Sequence, residues 1–361
     1  MSSSRRPGLL SGLILSTALL AGCGGTPPSY NRLVVFGDEL SDAGSYATAG
    51  LLTRFGGGGR FTINALSGQT ASSLWVDQLA VHVGMPAPCA YETGLESVDV
   101  SGATLADLAE ARQTHTSCTG YAQGGARVSQ TLGLANKGWL PALSGALGQL
   151  TVPVTTQVSR HLTASGGSFN AADLTLVTAG FDDVLVVDDK VTAGSMTAAD
   201  GAATLAATAN ELVIQVLVQM VGKGATRVVV LNLPDPSSTP RYRAASTTAQ
   251  AQVQALAKAF NDALLAGLSG NTTVLLVDLF QLSQAMSASP ASYGIANAVD
   301  AACNLSATVN PISSAMACTT ATLNVSDATA YLYADDLHFA PLGHRLIADK
   351  VWADMVARHW Q

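Results

Sequence analysis

Phe36-Gly37-Asp38-Glu39-Leu40-Ser41-Asp42-Ala43-Gly44 follows the apolar run Leu33-Val34-Val35. A short unbroken aliphatic run that ends in Gly-Asp reads as a buried strand stopping in a tight turn. Runs of the same kind recur at 174–178, 227–231 and 274–277, and helical periodicity is clearest at 203–221, 249–268 and 344–360. Short strands alternating with helices predict an α/β fold with a central parallel sheet, in which ligands lie outside the carboxyl ends of the strands. Glu39 falls at one such end.

Four more stretches follow in order. Tyr121-Ala122-Gln123-Gly124-Gly125-Ala126 comes first, and Ala179-Gly180-Phe181-Asp182-Asp183 directly follows the run 174–178. Asn232-Leu233-Pro234-Asp235 follows the run 227–231, and Ala334-Asp335-Asp336-Leu337-His338 precedes Gly343-His344. Together with the first stretch they resemble the sequence blocks of the GDSL, or SGNH, ester hydrolases over nearly the whole chain after its first segment. The resemblance implies a flavodoxin-like three-layer sandwich and an esterase or lipase activity on acyl esters or phospholipids. It also implies roles: Gly125 as a backbone donor to the oxyanion, Asp335 as the acid that orients a histidine, His338 as general base, and 232–235 as a structural loop. At two positions the chain departs from the family. Glu39 stands where the family has its nucleophilic serine, and Asp182 where it has an asparagine that donates to the oxyanion.

The chemistry explains why these departures matter. A serine hydroxyl must pass its proton to an imidazole held in one tautomer by a carboxylate, and the oxyanion then needs donors about 3 Å away. Glu39 has no hydroxyl to activate, and an ionised Asp182 would repel the developing charge. Three readings remain open. In one, the chain is a non-catalytic ligand-binding scaffold whose Glu39 carboxylate fills its own oxyanion hole. In another, Glu39, Asp182 and His338 form a carboxylate and histidine hydrolase, with or without a chelated divalent cation. In the third, a different nucleophile serves. Ser41 is nearest, but two residues along the first turn it is expected to point away and to start a helix together with Asp42. Crowded carboxylates cannot all ionise, so one is expected to stay protonated, and a protonated Asp182 would still donate; Arg127 as countercharge is the alternative. No cofactor is called for.

The 361 residues carry a net charge of -7, only 12% charged residues, and no Lys/Arg cluster beyond the first residues, which argues against a nucleic-acid partner. Arg5-Arg6 precede an apolar segment at 9–20 that ends in Leu20-Ala21-Gly22-Cys23. That tetrapeptide resembles a bacterial lipobox. It implies a lipoprotein signal peptide at 1–22, an acylated Cys23, a lipidated tether at 23–30 and one domain at 31–361. The chain is then expected on the periplasmic side of a bacterial envelope, at the outer membrane rather than the inner, with a small-molecule or lipid ester as ligand. An ordinary signal peptide is the alternative. No second run long and apolar enough to span a membrane is read, and nothing sets an oligomeric state.

The remaining cysteines, Cys89, Cys118, Cys303 and Cys318, are even in number in an exported chain, which favours disulfides. Proximity favours Cys89 with Cys118 and Cys303 with Cys318 among three possible connectivities, with a reduced buried set as the alternative. The stretch 44–73 holds Gly56-Gly57-Gly58-Gly59 but lacks the Gly-Lys-Ser/Thr ending of a phosphate loop, and reads as a flexible loop. With the loop-rich stretch 283–327 it is expected to wall the pocket. His82, His115, His161, His344 and His359 read as structural or exposed.

Overall fold

The computed structural model describes Met1 and residues 29–68, 74–96, 99–100, 103–104, 106–136 and 148–361. The expected signal segment and Cys23 lie outside the described residues. Strand β1 (Leu33–Gly37) is followed by two small antiparallel ribbons, β2 (Glu92–Leu95) with β5 (Glu110–Thr114) and β3 (Asp99–Val100) with β4 (Ala103–Thr104). Then come β6 (Leu174–Thr178), β7 (Val228–Leu231) and β8 (Val274–Val277), and last β9 (Asn297–Ala301), which pairs in parallel with β10 (Tyr331–Tyr333).

The central sheet has the order β1-β6-β7-β8 and is parallel throughout, with Leu33 opposite Leu174 and Val228 opposite both Thr175 and Val274. On the free edge of β1 runs the segment 119–123. Val35 N–H donates to Thr119 at 2.9 Å, Tyr121 N–H to Val35 at 2.7 Å, and Gln123 N–H to Gly37 at 3.0 Å. That pairing carries the next two residues, Gly124 and Gly125, to the end of β1.

Helices α1 (Ala49–Phe55), α2 (Trp75–His82), α3 (Val154–Ala164), α4 (Phe181–Thr192), α5 (Ala198–Ile214), α6 (Pro240–Arg243), α7 (Thr247–Leu268), α8 (Leu279–Ala288) and α9 (Pro341–Ala357) complete the described elements. Helices α3, α4, α5 and α7 cover one face of the sheet, where Val34, Phe36, Val177, Val184, Leu256 and Phe260 form the core. On the other face α2, α8 and α9 bury Val35, Trp75, Leu79, Leu176, Ile347 and Val351. The result is a three-layer α/β sandwich with a central parallel sheet. Covering both faces is why β1 and β7 are apolar runs rather than alternating ones and why β6 is buried at every position, Thr175 and Thr178 included. Each fully buried Val or Leu contributes about 1.5–3 kcal/mol.

The predicted strands agree with these to within a residue. The helices differ at their starts, because caps set them: Thr197 caps α5, Ser246 caps α7, and Pro341 opens α9 at its first position. Helix α5 runs on through a π turn (Gln215–Met220) and a 3₁₀ turn (Val221–Lys223). The continuous helix Ala198–Lys223 is long and apolar enough to span a membrane, contrary to the reading that no such run exists. One stripe of it packs into the body, where Leu205, Ala209, Leu212 and Val216 are fully buried against α4 and α7.

Both disulfides form as proximity suggested, Cys89–Cys118 and Cys303–Cys318. The four-glycine stretch is not the flexible loop expected. A Cβ on Gly58 would meet Leu51 Cδ2 at 2.4 Å, and one on Gly59 would meet Ala47 Cα at the same distance, so the glycines let this backbone pack against its neighbours. The stretch 283–327 also has more order than expected, because it contributes β9.

Candidate active site

The site begins where β1 stops. Gly37 has φ +143, and a Cβ there would lie 1.8 Å from the Thr178 carbonyl, so only glycine lets β1 and β6 end side by side. Gln157 pins this turn, accepting from Gly37 N–H and donating to its carbonyl, both at 2.8 Å. Asp38 then caps a 3₁₀ turn (Glu39–Ser41), accepting from Leu40 N–H at 3.3 Å. Glu39 is thereby set at the carboxyl end of β1, 5% exposed.

Ser41 is fully buried and turned inward, as expected, 2.8 Å from Thr178 Oγ1 and accepting from Trp75 Nε1 at 3.0 Å. It does not start the helical turn, however; Asp38 does. Asp42 instead ties two blocks together. It accepts from Gly44 N–H at 2.9 Å, Ser45 N–H at 2.6 Å and Gly124 N–H at 2.9 Å. Burial pushes its carboxyl up to about 6, although these N–H groups oppose the shift.

Gly125 follows with φ +76, and a Cβ there would meet the Leu134 carbonyl at 2.4 Å. Its N–H donates to Glu39 Oε2 at 3.3 Å. The donor expected to serve a substrate oxyanion is therefore turned to a carboxylate of the same chain.

Asp182 sits in the first turn of α4, after Gly180, whose φ of +111 and close approach to the Phe260 ring exclude a side chain. It is 3% exposed. Burial, then the neighbouring Glu39, then Asp38 and Asp183 push its carboxyl well above the usual range. Protonation leaves Asp182 able to donate to Glu39, as a neutral asparagine would, and its buried Oδ2 has no hydrogen-bond partner among the described residues. Arg127 is not the countercharge for this pair. It binds Asp183 at 2.8 Å, and Val128 N–H donates to the other oxygen of that carboxylate at 2.9 Å.

Across the site, His338 Nδ1 lies 2.8 Å from both carboxylate oxygens of Asp335. Asp335 also accepts N–H groups from Ala315, Leu337 and His338 at 2.7, 3.0 and 2.7 Å. Burial would raise this carboxyl, but the His338 charge, the bond to its ring and the N–H groups of His338 and Leu337 hold it down at about 2. Burial likewise opposes charge on His338, yet Asp335, then Glu39 and Asp336, hold the imidazole up at about 9. Its Nε2 stands 4.0 Å from Glu39 Oε1, a charge contact beyond hydrogen-bond length.

Three carboxylate oxygens, from Asp38, Glu39 and Asp182, lie within 4.8 Å of one another. This is not the trio expected from sequence, since His338 stays with Asp335 and Asp38 takes its place. The crowding is met by protons, for burial and Glu39 push Asp38 and Asp182 well upward.

A cleft of about 510 Å³ opens over Glu39 and His338, lined by Asp182, Asp188, Asp189 and Arg241 among others. On the other side of the same two residues lies an apolar slot of about 30 Å³ walled by Phe61, Phe181, Leu233 and Phe339. The two irregular stretches do contribute walls, through Phe61 and 312–314, but α4, α7 and the ends of the strands supply as much. Leu233 and Pro234 of the loop 232–235 border the slot, while Asp235 holds that loop by accepting from Gln254 and Gln284. His344 is buried with Nδ1 accepting from Trp75 N–H at 3.3 Å, and burial pushes it down to about 3. It is structural.

Sequence reasoning missed Asp38 as a partner of Glu39, Gln157 as the clamp on Gly37, and Phe61, whose ring lies 5.1 Å from that of His338. The Gly-Asp pair signalled Asp38; nothing local signalled Gln157 or Phe61, which arrive from distant segments.

The model of the GDSL-like Lipase/Acylhydrolase family matches residues 33–351, from the first residue of β1 into α9. A search of curated proteins returned no significant match.

Proposed function

We propose, from the premise that the chain belongs to the GDSL-like lipase/acylhydrolase family, a family of esterase and lipase type, that this member has given up serine-nucleophile hydrolysis and uses its cleft to bind a ligand. The observation that carries the reading is the 3.3 Å bond from Gly125 N–H to Glu39 Oε2. A carboxylate in the oxyanion hole both removes the nucleophile and blocks the donor. Loss of such a nucleophile costs on the order of 10⁴ to 10⁶ in rate. The ligand is a small molecule or lipid ester held near Glu39 and His338.

Hydrolysis through Glu39, Asp182 and His338 is the competing reading; it leaves Glu39 as the base on water, and the Gly125 N–H bond to Glu39 Oε2 argues against that role. An imidazole held up at about 9 is protonated at neutral pH and has no lone pair with which to take a proton from water. With Cys23 acylated, the chain is a lipid-anchored envelope protein on the periplasmic side, at the outer membrane.

A fluorophosphonate probe, which labels activated serines covalently, tests the reading. The native chain is expected to stay unlabelled while Glu39→Ser becomes labelled. Labelling of the native chain at any serine would overturn the proposal.

A further inference from the structure

The two ends of the sheet differ in chemistry. At the carboxyl ends of the strands the cleft gathers Glu39, Asp182, Asp188, Asp189, Asp335 and Asp336 against Arg241 and His338. At the opposite, basal end, Lys223, Arg227 and Arg358 have no carboxylate partner among the described residues. Arg227 lies over the Tyr30 ring, while Arg358 donates to the carbonyls of Asn271, Thr272 and Val274 and lies over Trp360.

Exposed apolar side chains gather at the same end. Of the large exposed ones among the described residues of 29–361, Val81, Ile214, Val218, Leu265 and Val356 lie towards it, while Leu132, next to the Gly133 that packs on Gly125, and Val299 do not belong to this group. Val81, Leu265 and Val356 lie in the last turns of α2, α7 and α9, and Ile214 and Val218 in the closing turns of the helix Ala198–Lys223. These helices end at the base. Phe169 N–H, just before β6, donates to Lys223, and Arg358 reaches the start of β8. Helix α2 runs parallel to α9, with Trp75 bonded to His344 near their starts and His82 stacked on Trp352 towards their ends. Scattered exposed apolar groups are ordinary; their concentration on one end together with unbalanced cations is not.

The chain enters at this end too. Tyr30 OH donates to the Trp360 carbonyl and Asn31 N–H to Ala172, just ahead of β1 and β6. From Cys23 to Tyr30 the backbone spans at most about 24 Å. Ala249, at the start of α7, lines the cleft, and Leu265 lies about 24 Å further down that helix. A tether of that length cannot pass the body and still turn the cleft onto the bilayer that holds it.

We propose that the basal end is a lipid-facing surface: Val218, Leu265, Val356, Lys223, Arg227 and Arg358 rest on anionic headgroups of the bilayer carrying the Cys23 anchor, and the cleft opens away from it. Apolar groups rimmed by Lys and Arg suit such an interface. This inference rests on the anchored reading above and narrows the ligand. The cleft takes an ester from the aqueous space or from a facing surface, not a lipid of its own leaflet.

The test uses the full acylated chain in vesicles of phosphatidylethanolamine and phosphatidylglycerol, with an environment-sensitive fluorophore on Val218→Cys, Leu265→Cys or, at the cleft end, Thr192→Cys. Probes at 218 and 265 are expected to shift to the blue and to be quenched by lipid-borne spin labels, and the probe at 192 to stay in water. Quenching at 192, all probes in water, or shielding of 218 and 265 only when a second protein is added would overturn the proposal. Mass spectrometry of Cys23 checks the anchor separately. Should Cys23 carry no acyl chain, Cys23→Ser held through an N-terminal His-tag on nickel-chelating lipid still tests the surface: the same quenching pattern supports it, and probes left in water refute it.

Discussion

Gly125 N–H donates to Glu39 Oε2 at 3.3 Å, so the backbone donor expected from the sequence to serve an oxyanion holds a side chain of the protein itself. The same carboxylate lies beside Asp182, whose carboxyl is pushed well upward by burial and by Glu39, and faces His338 Nε2 at 4.0 Å. Removing its charge has a defined effect. Glu39→Gln is expected to lower the His338 pKa from about 9, because an anion that favours the protonated ring is gone. An NMR titration of the imidazole checks it; an unchanged midpoint would mean that Glu39 is not coupled to His338.

Stability should depend on pH through the same pair. His338 titrates at about 9 in the fold and near 6.5 unfolded, so its contribution is fully present below pH 6.5 and is lost as pH rises through 9. The shift corresponds to on the order of 3 kcal/mol. Asp335, held at about 2, adds the acid limit, its contribution being present above pH 3.8 and lost as pH falls through 2. Thermal unfolding should show Tm falling between pH 6.5 and 9, and His338→Ala should flatten that slope. A Tm that rises over this interval would contradict the assignment.

Asp182→Asn should raise Tm, and more at pH 8 than at pH 5. The aspartate must be kept protonated against its tendency to ionise, and this cost grows with pH, whereas an amide donates to Glu39 at any pH. Calorimetry at the two pH values decides it, since equal gains at both would show that Asp182 carries no such penalty.

The Cys303–Cys318 bridge closes a short loop that delivers Ala315 N–H to Asp335. Replacing both cysteines with serine should cost about 3 kcal/mol and raise the His338 pKa, because Asp335 without the Ala315 donor turns more of its charge on the ring. Denaturant unfolding measures the first effect and NMR the second. Loss of stability with an unmoved His338 would confine the bridge to a structural role.

Much of this was legible in the sequence, for identifiable reasons. Strands covered on both faces are rich in Val and Leu, so β1, β6, β7 and β8 are legible to within a residue, even though β6 carries Thr175 and Thr178. Blocks at the carboxyl ends of β1 and β6 give Glu39 and Asp182, because such sites are built where parallel strands stop, whereas Asp335 and His338 come from the resemblance of 334–338 to the Asp-x-x-His block and follow β10 of a separate sheet. Arg127 was misplaced because its partner, Asp183, is adjacent in sequence to Asp182 but points elsewhere on α4. The glycines at 56–59 were taken for slack because composition does not distinguish glycine that moves from glycine that lets backbones touch. Gln157, Phe61 and the basal surface depend on contacts between distant segments, which no local pattern encodes.

The most direct test is hydrolysis of p-nitrophenyl acyl esters by the native chain beside Glu39→Ser with Asp182→Asn, and the same pair carrying His338→Ala. The account predicts a silent native chain and a double variant at least on the order of 10³-fold faster, its gain abolished by His338→Ala. Turnover by the native chain that His338→Ala abolishes would contradict it, and would make Glu39 part of a working hydrolase.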